Sequence, residues 1–131
     1  MSELSAQQLQ HFKQRLEERF RQLREAIRQE LLKSEDPYYQ QLATTVHDSE
    51  EESVADLLFD LNLADIDRHV QEARQIEAAQ NRMATGNYGI CIDCGVAISP
   101  KRLEANAAAA RCIECQALYE QQYAQPGHPS L

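Results

Sequence analysis

The 131-residue sequence contains no tryptophan, and aromatic residues make up only 6% of it. It has no apolar run near the roughly eighteen residues that a transmembrane helix needs. Basic residues are also scarce, because 13 Lys and Arg stand against 21 Asp and Glu, for a formal net charge of −8. Binding to a phosphate backbone needs clustered Lys and Arg, so this charge argues against direct DNA binding. The N-terminus does not resemble a signal peptide, and we expect a cytoplasmic protein.

What the sequence has in abundance is Gln, Glu, Arg, Leu and Ala in long stretches, which predicts helices that pair with one another. The first helix is expected to start at Ser5, because Ser5-x-x-Gln8 has the form of a capping box. Its apolar residues recur in steps of three or four and form one narrow stripe, typical of a helix with one partner. Pro37 then predicts a break near Asp36, and residues 38–46 are expected to continue as helix after a kink or a turn. The stripe comprises Leu9, Phe12, Leu16, Phe20, Leu23, Ile27 and Leu31.

Residues 47–52 read HDSEEE and predict a polar turn, with a second capping box at Ser49-x-x-Glu52. A second long helix should follow over residues 53–84 and end at Thr85-Gly86-Asn87. Its first part is apolar nearly all round, so a single partner helix cannot cover it. Either residues 38–46 fold back over this end, or the excess apolar surface contacts another protein.

All four cysteines lie in one stretch, as the pairs Cys91-x-x-Cys94 and Cys112-x-x-Cys115. This spacing predicts a structural zinc site, because each pair can aim two sulfurs at one point and the two pairs complete a tetrahedron. Gly95 suits the left-handed conformation that often closes such a turn. Four thiolates leave no position for water or substrate, so we expect one structural zinc ion and no enzyme activity.

Two other roles for the cysteines are less well supported. Two disulfides would need an oxidising compartment, and a redox dithiol uses one pair in a βαβ unit that this sequence does not predict. The four histidines, at positions 11, 47, 69 and 128, are not spaced as ligands relative to the cysteines.

The predicted fold is therefore all-α. A long antiparallel helical hairpin, or coiled coil, occupies residues 1–86 with its turn near 47–52. Residues 87–131 form its base, a small four-cysteine zinc finger with a short helix at about 116–124 and a tail.

These parts together resemble the bacterial DksA/TraR family of transcription regulators. The resemblance is strongest from Arg68 to Cys115, where Tyr88-Gly89-x-Cys91, Cys94-Gly95 and Arg102-Leu103 lie. It implies a protein that binds RNA polymerase, inserts its coiled coil into the secondary channel and modulates initiation through acidic tip residues. Some members act with the alarmone ppGpp of the stringent response. An acidic rod suits a cavity walled by basic groups, because attraction speeds docking.

Two registers compete for the tip. A gap-free count back from Cys91 places the family's acidic pair on Asp48 and Glu51, whereas the local pattern of small and apolar residues favours Asp56. The same gap-free count puts Gln75, Asn106 and Gln116 where ppGpp-responsive members carry basic residues. Neutral amides lose most of the charge-assisted contact with pyrophosphate, so the resemblance implies weak or absent ppGpp dependence.

Two alternatives to a polymerase regulator stay open at the level of sequence. The first is a zinc-stabilised coiled-coil adaptor for another protein partner, which the divergent segment 31–54 favours. The second is a redox- or zinc-responsive regulator, in which thiol oxidation ejects the metal and loosens the base.

Overall fold

The computed structural model describes residues 4–48 and 64–123, and within them five helices and no strand. The helices are α1 (Ala6–Leu32), α2 (Pro37–Asp48), α3 (Ala64–Ala84), α4 (Pro100–Ala105) and α5 (Ile113–Tyr123). One isolated antiparallel bridge joins Ile90 to Ala97. No helix in these two ranges has the length and apolar character needed to span a membrane.

α1 begins and runs as the sequence predicts. The Ser5 hydroxyl accepts from the Gln8 N–H at 3.1 Å, and the Gln8 side chain accepts from the Ser5 N–H at 2.8 Å, which completes the capping box. The predicted apolar stripe is the inner face of α1, with five of its seven members buried and Leu9 and Phe20 partly so. The buried five are Phe12, Leu16, Leu23, Ile27 and Leu31.

α3 lies antiparallel beside α1. The Arg19 guanidinium binds the Glu72 carboxylate at 2.5 and 2.8 Å midway along the pair. α3 stops at Ala84 as predicted, because Gly86 has φ of +80° and the Asn87 N–H returns to the Arg82 carbonyl at 2.7 Å. The two helices thus form a rod whose lower end leads directly into the cysteine stretch.

The first arm ends at Leu32, and Pro37 starts a separate helix. The Asp36 carboxylate accepts from the Tyr38 N–H at 2.9 Å and caps α2, whose first residue is Pro37. α2 runs back along α1, since the Arg24 guanidinium near the middle of α1 donates to the Val46 carbonyl near the end of α2 at 3.2 Å. The first arm therefore does not continue straight through residues 38–46.

The interior has two apolar clusters along the rod. A distal cluster joins α1, α2 and the start of α3, and it contains Ile27, Leu31, Ala43, Val46, Ile66 and Val70. α2 thus packs against the second arm at Ile66, in agreement with the fold-back alternative at that one residue, while the rest of the apolar stretch lies outside the described residues. A basal cluster joins α1 and α3 to the cysteine module, which we define as residues 88–123. The cluster includes Phe12, Leu16, Ile76, Tyr88 and Leu103. Phe20 packs against both clusters.

The predicted turn at residues 47–52 is only partly within the described residues. His47 and Asp48 still belong to α2, so the polar turn does not begin at His47. Residues 49–52, the second predicted capping box and the apolar stretch 54–63 lie outside the described residues.

Candidate metal centre and the base of the rod

The four cysteine sulfurs converge at the base of the rod. All four Sγ atoms lie within 4.8 Å of one another, and the Cys94 and Cys112 sulfurs are 3.8 Å apart. A tetrahedral zinc ion with Zn–S bonds of about 2.3 Å requires sulfurs about 3.8 Å apart. The cysteines are free thiols, so the disulfide alternative does not apply. The donor set and its spacing fit zinc.

The first ligand turn is closed by glycine. Gly95 has φ of +79°, which a residue without Cβ adopts at little cost, and its N–H donates to the Cys91 carbonyl at 3.0 Å. The Cys91 N–H donates to the Val96 carbonyl at 2.8 Å, and the chain then returns beside itself at the bridge from Ile90 to Ala97. This tight return aims Cys91 inward and leaves Cys94 exposed.

The second ligand turn is helical, which explains why it needs no glycine. α5 starts at Ile113, three residues earlier than predicted, so Cys115 lies in its first turn. The Gln116 N–H donates to the Cys112 carbonyl at 2.9 Å, and the Cys115 N–H approaches the Cys112 sulfur at 3.5 Å. Residues three apart share one side of a helix, so the helical start itself brings the two sulfurs together.

The surrounding groups shift the pKa values of Cys91 and Cys115 in opposite directions. Burial opposes ionisation of Cys91, but backbone N–H groups of Cys112, Cys94 and Asp93 outweigh it and lower the pKa of Cys91 to about 6. Hydrogen bonding to the Cys94 and Cys112 sulfurs raises the pKa of Cys115 above its ordinary value. Cys91 therefore ionises more readily than Cys115, and a bound cation would favour the thiolate form of both.

The cysteine module is fixed to the rod through Tyr88. This residue is 1% exposed, and its ring lies 6.1 Å from that of Phe12 on α1, measured between centroids. Its hydroxyl donates to the Ala107 carbonyl at 2.6 Å, which ties the loop after α4 to the end of α3. On the surface, His11 and Arg15 of α1 both bind the Glu104 carboxylate, at 2.8 and 3.1 Å. The grouped cysteines, the aromatic packing and the ion pairs therefore lie together where the rod joins its base.

Two of the three amides noted in the sequence, Gln75 and Asn106, lie in one cleft. Gln75 on α3 and Asn106 after α4 line a cavity of about 220 Å³ between the rod and the base. The cavity is also lined by Arg15 and Arg19, but the Arg15 guanidinium is engaged by Glu104 and that of Arg19 by Glu72. Gln116 does not line this cavity, and its amide instead donates to the Glu120 carboxylate at 2.9 Å along α5.

Of the three predicted tip acids, only Asp48 lies within the described residues. Asp48 is the last residue of α2, two residues beyond the Val46 carbonyl that binds Arg24. Glu51 and Asp56 lie outside the described residues.

Two features of the base escaped the sequence interpretation. α4 was missed, although Ser99 followed by Pro100 is a recognisable start, and the Ser99 hydroxyl accepts from the Arg102 N–H at 3.2 Å. The bond between Arg111 and Asp93, 2.7 Å long, was also missed. Eighteen residues separate that pair, and no local sequence pattern announces such a contact.

Comparison with known proteins agrees with this geometry. Residues 86–121 match the family described as the prokaryotic dksA/traR C4-type zinc finger. The RNA polymerase-binding transcription factor DksA of Salmonella typhimurium strain LT2 is 32% identical over 113 residues, which cover 86% of this chain and 72% of the relative. The factor of the same name from Escherichia coli strain K12 is 31% identical with the same coverage.

Two solved structures are similar in fold. Transcription factor DksA2 from Pseudomonas aeruginosa superposes with a TM-score of 0.60 at 22% identity, over 92% of this chain and 89% of that one. The DnaK suppressor protein from Agrobacterium tumefaciens C58 gives 0.55 at 28% identity, over 83% and 91%. The all-α fold with a zinc-finger base is thereby confirmed. The C4-type match and the grouped cysteines together indicate one structural zinc ion.

Proposed function

The chain belongs to the DksA/TraR family, and from that premise we propose that it binds RNA polymerase and regulates transcription initiation. The observation that carries the proposal is the identity of these relatives over most of the chain, since both are named as RNA polymerase-binding transcription factors. The architecture supports it. A rod of two antiparallel helices on a metal-fixed base can present its far end to a partner at a set distance and angle.

We further propose Cys91, Cys94, Cys112 and Cys115 as the ligands of the zinc ion. Their convergence within 4.8 Å supports this assignment. Bound zinc would hold the ends of α3 and α5 together, and its four sulfur ligands give it a structural role. The chain's own residues do the rest, because Tyr88 and Leu103 pack the module onto α1.

The finer mechanism follows the family resemblance. We propose that the rod enters the secondary channel of the polymerase and that acids among Asp48, Glu51 and Asp56 act there. The net charge of −8 supports attraction to a basic channel. The acids should then alter the behaviour of the catalytic centre more than they alter binding.

The test separates binding from action. Purified polymerase is immobilised, and binding is measured for the intact protein and for the variant D48N/E51Q/D56N, followed by in vitro transcription with each. We expect the variant to bind within about threefold of the intact protein and to lose its transcriptional effect. A matched control, E17Q/D67N/E114Q, removes three charges from exposed positions on α1, α3 and α5 and should keep that effect. An intact protein that does not bind polymerase contradicts the proposal as a whole, while equal effects of the two variants contradict only the tip assignment.

We also propose that ppGpp adds little to this activity. Gln75 and Asn106 share the cleft between rod and base, and the two arginines that line it are paired with carboxylates. A pyrophosphate in this cleft would contact two neutral amides. Arg or Lys at the same positions would bind it far more strongly through charge-assisted hydrogen bonds. Transcription titrated with ppGpp should change little with the intact protein and more with Q75R/N106K. A strong response of the intact protein contradicts the proposal.

A further inference from the structure

Arg111 makes two side-chain contacts that join separate parts of the cysteine module. Its Nε donates to the Asp93 carboxylate at 2.7 Å, and Asp93 lies between the two cysteines of the first ligand turn. Its guanidinium carbon also lies 3.9 Å from the centroid of the Tyr119 ring on α5. Arg111 itself directly precedes Cys112, so one side chain contacts the first turn and the helix that carries the second.

The backbone carbonyls of Arg111 and of the residue before it also accept hydrogen bonds. The Arg111 carbonyl accepts from Arg102 Nε of α4 at 2.9 Å, and the neighbouring Ala110 carbonyl accepts from the Ile92 N–H of the first turn at 2.9 Å. The Arg111 side chain is 20% exposed, less than the basic side chain of each ion pair along α1, so its guanidinium is the more sheltered from solvent. These contacts fix where the guanidinium can point.

Only arginine has the shape for both contacts at once. A planar guanidinium binds a carboxylate along its edge and stacks on an aromatic ring with its face, whereas a lysine ammonium is a compact charge that cannot do both equally well. Its positive charge also has an electrostatic role. Four thiolates around Zn²⁺ leave a net charge of about −2, and Asp93 adds a further negative charge to the first turn.

We propose that Arg111 is a positioning residue for the zinc site. It holds the two ligand turns in register through Asp93 and fixes the direction of α5 through Tyr119, so that zinc retention and the orientation of α5 depend on one side chain. This role concerns the structural zinc and does not rest on the proposed polymerase binding.

The first test measures zinc release from the folded protein to an excess of a colorimetric chelator, with the absorbance of the cobalt-substituted protein as a second readout. R111Q should release zinc about tenfold faster, the size of effect common for groups that orient metal ligands. K101Q makes the same charge change at an exposed position on the nearby α4 and should release zinc at the wild-type rate. R111K should lie between the two.

A double-mutant cycle decides whether Arg111 acts through Asp93. If it does, D93N/R111Q releases zinc no faster than R111Q alone, because the second change removes a bond that is already lost. Y119F keeps the ring and should match the wild type, whereas Y119L should speed amide exchange in residues 116–123. The proposal is overturned if R111Q stays within twofold of K101Q, or if the effects of D93N and R111Q simply multiply. Should R111Q fail to fold with zinc, R111K and D93N against K101Q decide the matter by the same criterion.

Discussion

Replacing Tyr88 by phenylalanine removes one hydroxyl from the junction of rod and base, and the structure sets the size of the effect. The Tyr88 hydroxyl donates to the Ala107 carbonyl at 2.6 Å, and the side chain is 1% exposed. Phenylalanine keeps the ring packing on Phe12 but leaves that carbonyl without its donor, which costs about 1–2 kcal/mol of unfolding free energy. For a chain of this length the melting temperature should fall by roughly 3–6 °C.

The same residue predicts how stability changes at high pH. Burial raises the pKa of Tyr88 from 10.0 to about 12, although the Arg82 and Arg15 charges oppose the shift. The unfolded chain therefore loses this proton first as the pH rises. The contribution of neutral Tyr88 is present in full below pH 10 and is lost as the pH approaches 12, to a limit of about 3 kcal/mol.

Urea unfolding followed by circular dichroism, repeated from neutral pH to about pH 12, measures both effects. The wild type should be the more stable protein at neutral pH, and its advantage over Y88F should vanish as the pH nears 12. Phenolate absorbance should show one late-titrating tyrosine that Y88F lacks. Y38F is the matched control, because Tyr38 is 59% exposed and its loss should change stability by under about 0.5 kcal/mol. An advantage of the wild type that stays constant with pH would refute the reasoning.

Three further predictions concern the ligand turn, the distal cluster and the metal. G95A should lower the free energy of unfolding by about 1–2 kcal/mol and speed zinc release, because alanine is strained at a positive φ. G86A meets the same strain at φ of +80° with open space around it, so it should lower stability without speeding zinc release, and equal release rates would contradict the role of Gly95. L31A should lower the free energy of unfolding by about 2–4 kcal/mol and L32A by well under about 1 kcal/mol, because Leu31 is fully buried whereas Leu32 is 41% exposed. The denaturant midpoints of the two variants test this difference. Removing zinc with a chelator should speed amide exchange in residues 88–115 more than in α2, and uniform acceleration would contradict two separate clusters.

Local signals in the sequence predicted the parts of the fold that depend on a few neighbouring residues. The capping box at Ser5 and the stop at Gly86 rest on interactions within a turn or two of chain, and both are confirmed. The grouping of the cysteines joins two pairs that are distant in sequence, and it was predicted because each pair is itself a local motif. α4 was equally local and could have been predicted from Ser99 and Pro100. α5 starts early because a helical turn can bring the sulfurs of Cys112 and Cys115 together. The spacing of the two cysteines does not by itself distinguish a helical turn from a turn closed by glycine.

Contacts between distant residues could not be predicted in this way. Pro37 announces a break, but the direction of the next helix is set by which apolar surfaces it can cover. Ala43 and Val46 bury themselves against Ile27 and Leu31 only when α2 runs back along α1. The bond between Arg111 and Asp93 likewise exists only because the two ligand turns meet.

The reversal at Pro37 also fixes how far the described rod extends. The 27 residues of α1 span about 40 Å, and a helix continued through α2 without a turn would add roughly 18 Å more. That extra length would leave Ala43 and Val46 exposed at the far end and remove α2 from Ile66 on the second arm. Burial of these apolar groups favours the shorter and thicker rod, at roughly 25 cal/mol for each Å² removed from water. Within residues 4–48 and 64–123 the far end of the rod is therefore the exposed loop that carries Glu35 and Asp36. Comparing E35Q/D36N with D48N/E51Q/D56N in the transcription assay measures which of these acids act on the proposed polymerase partner.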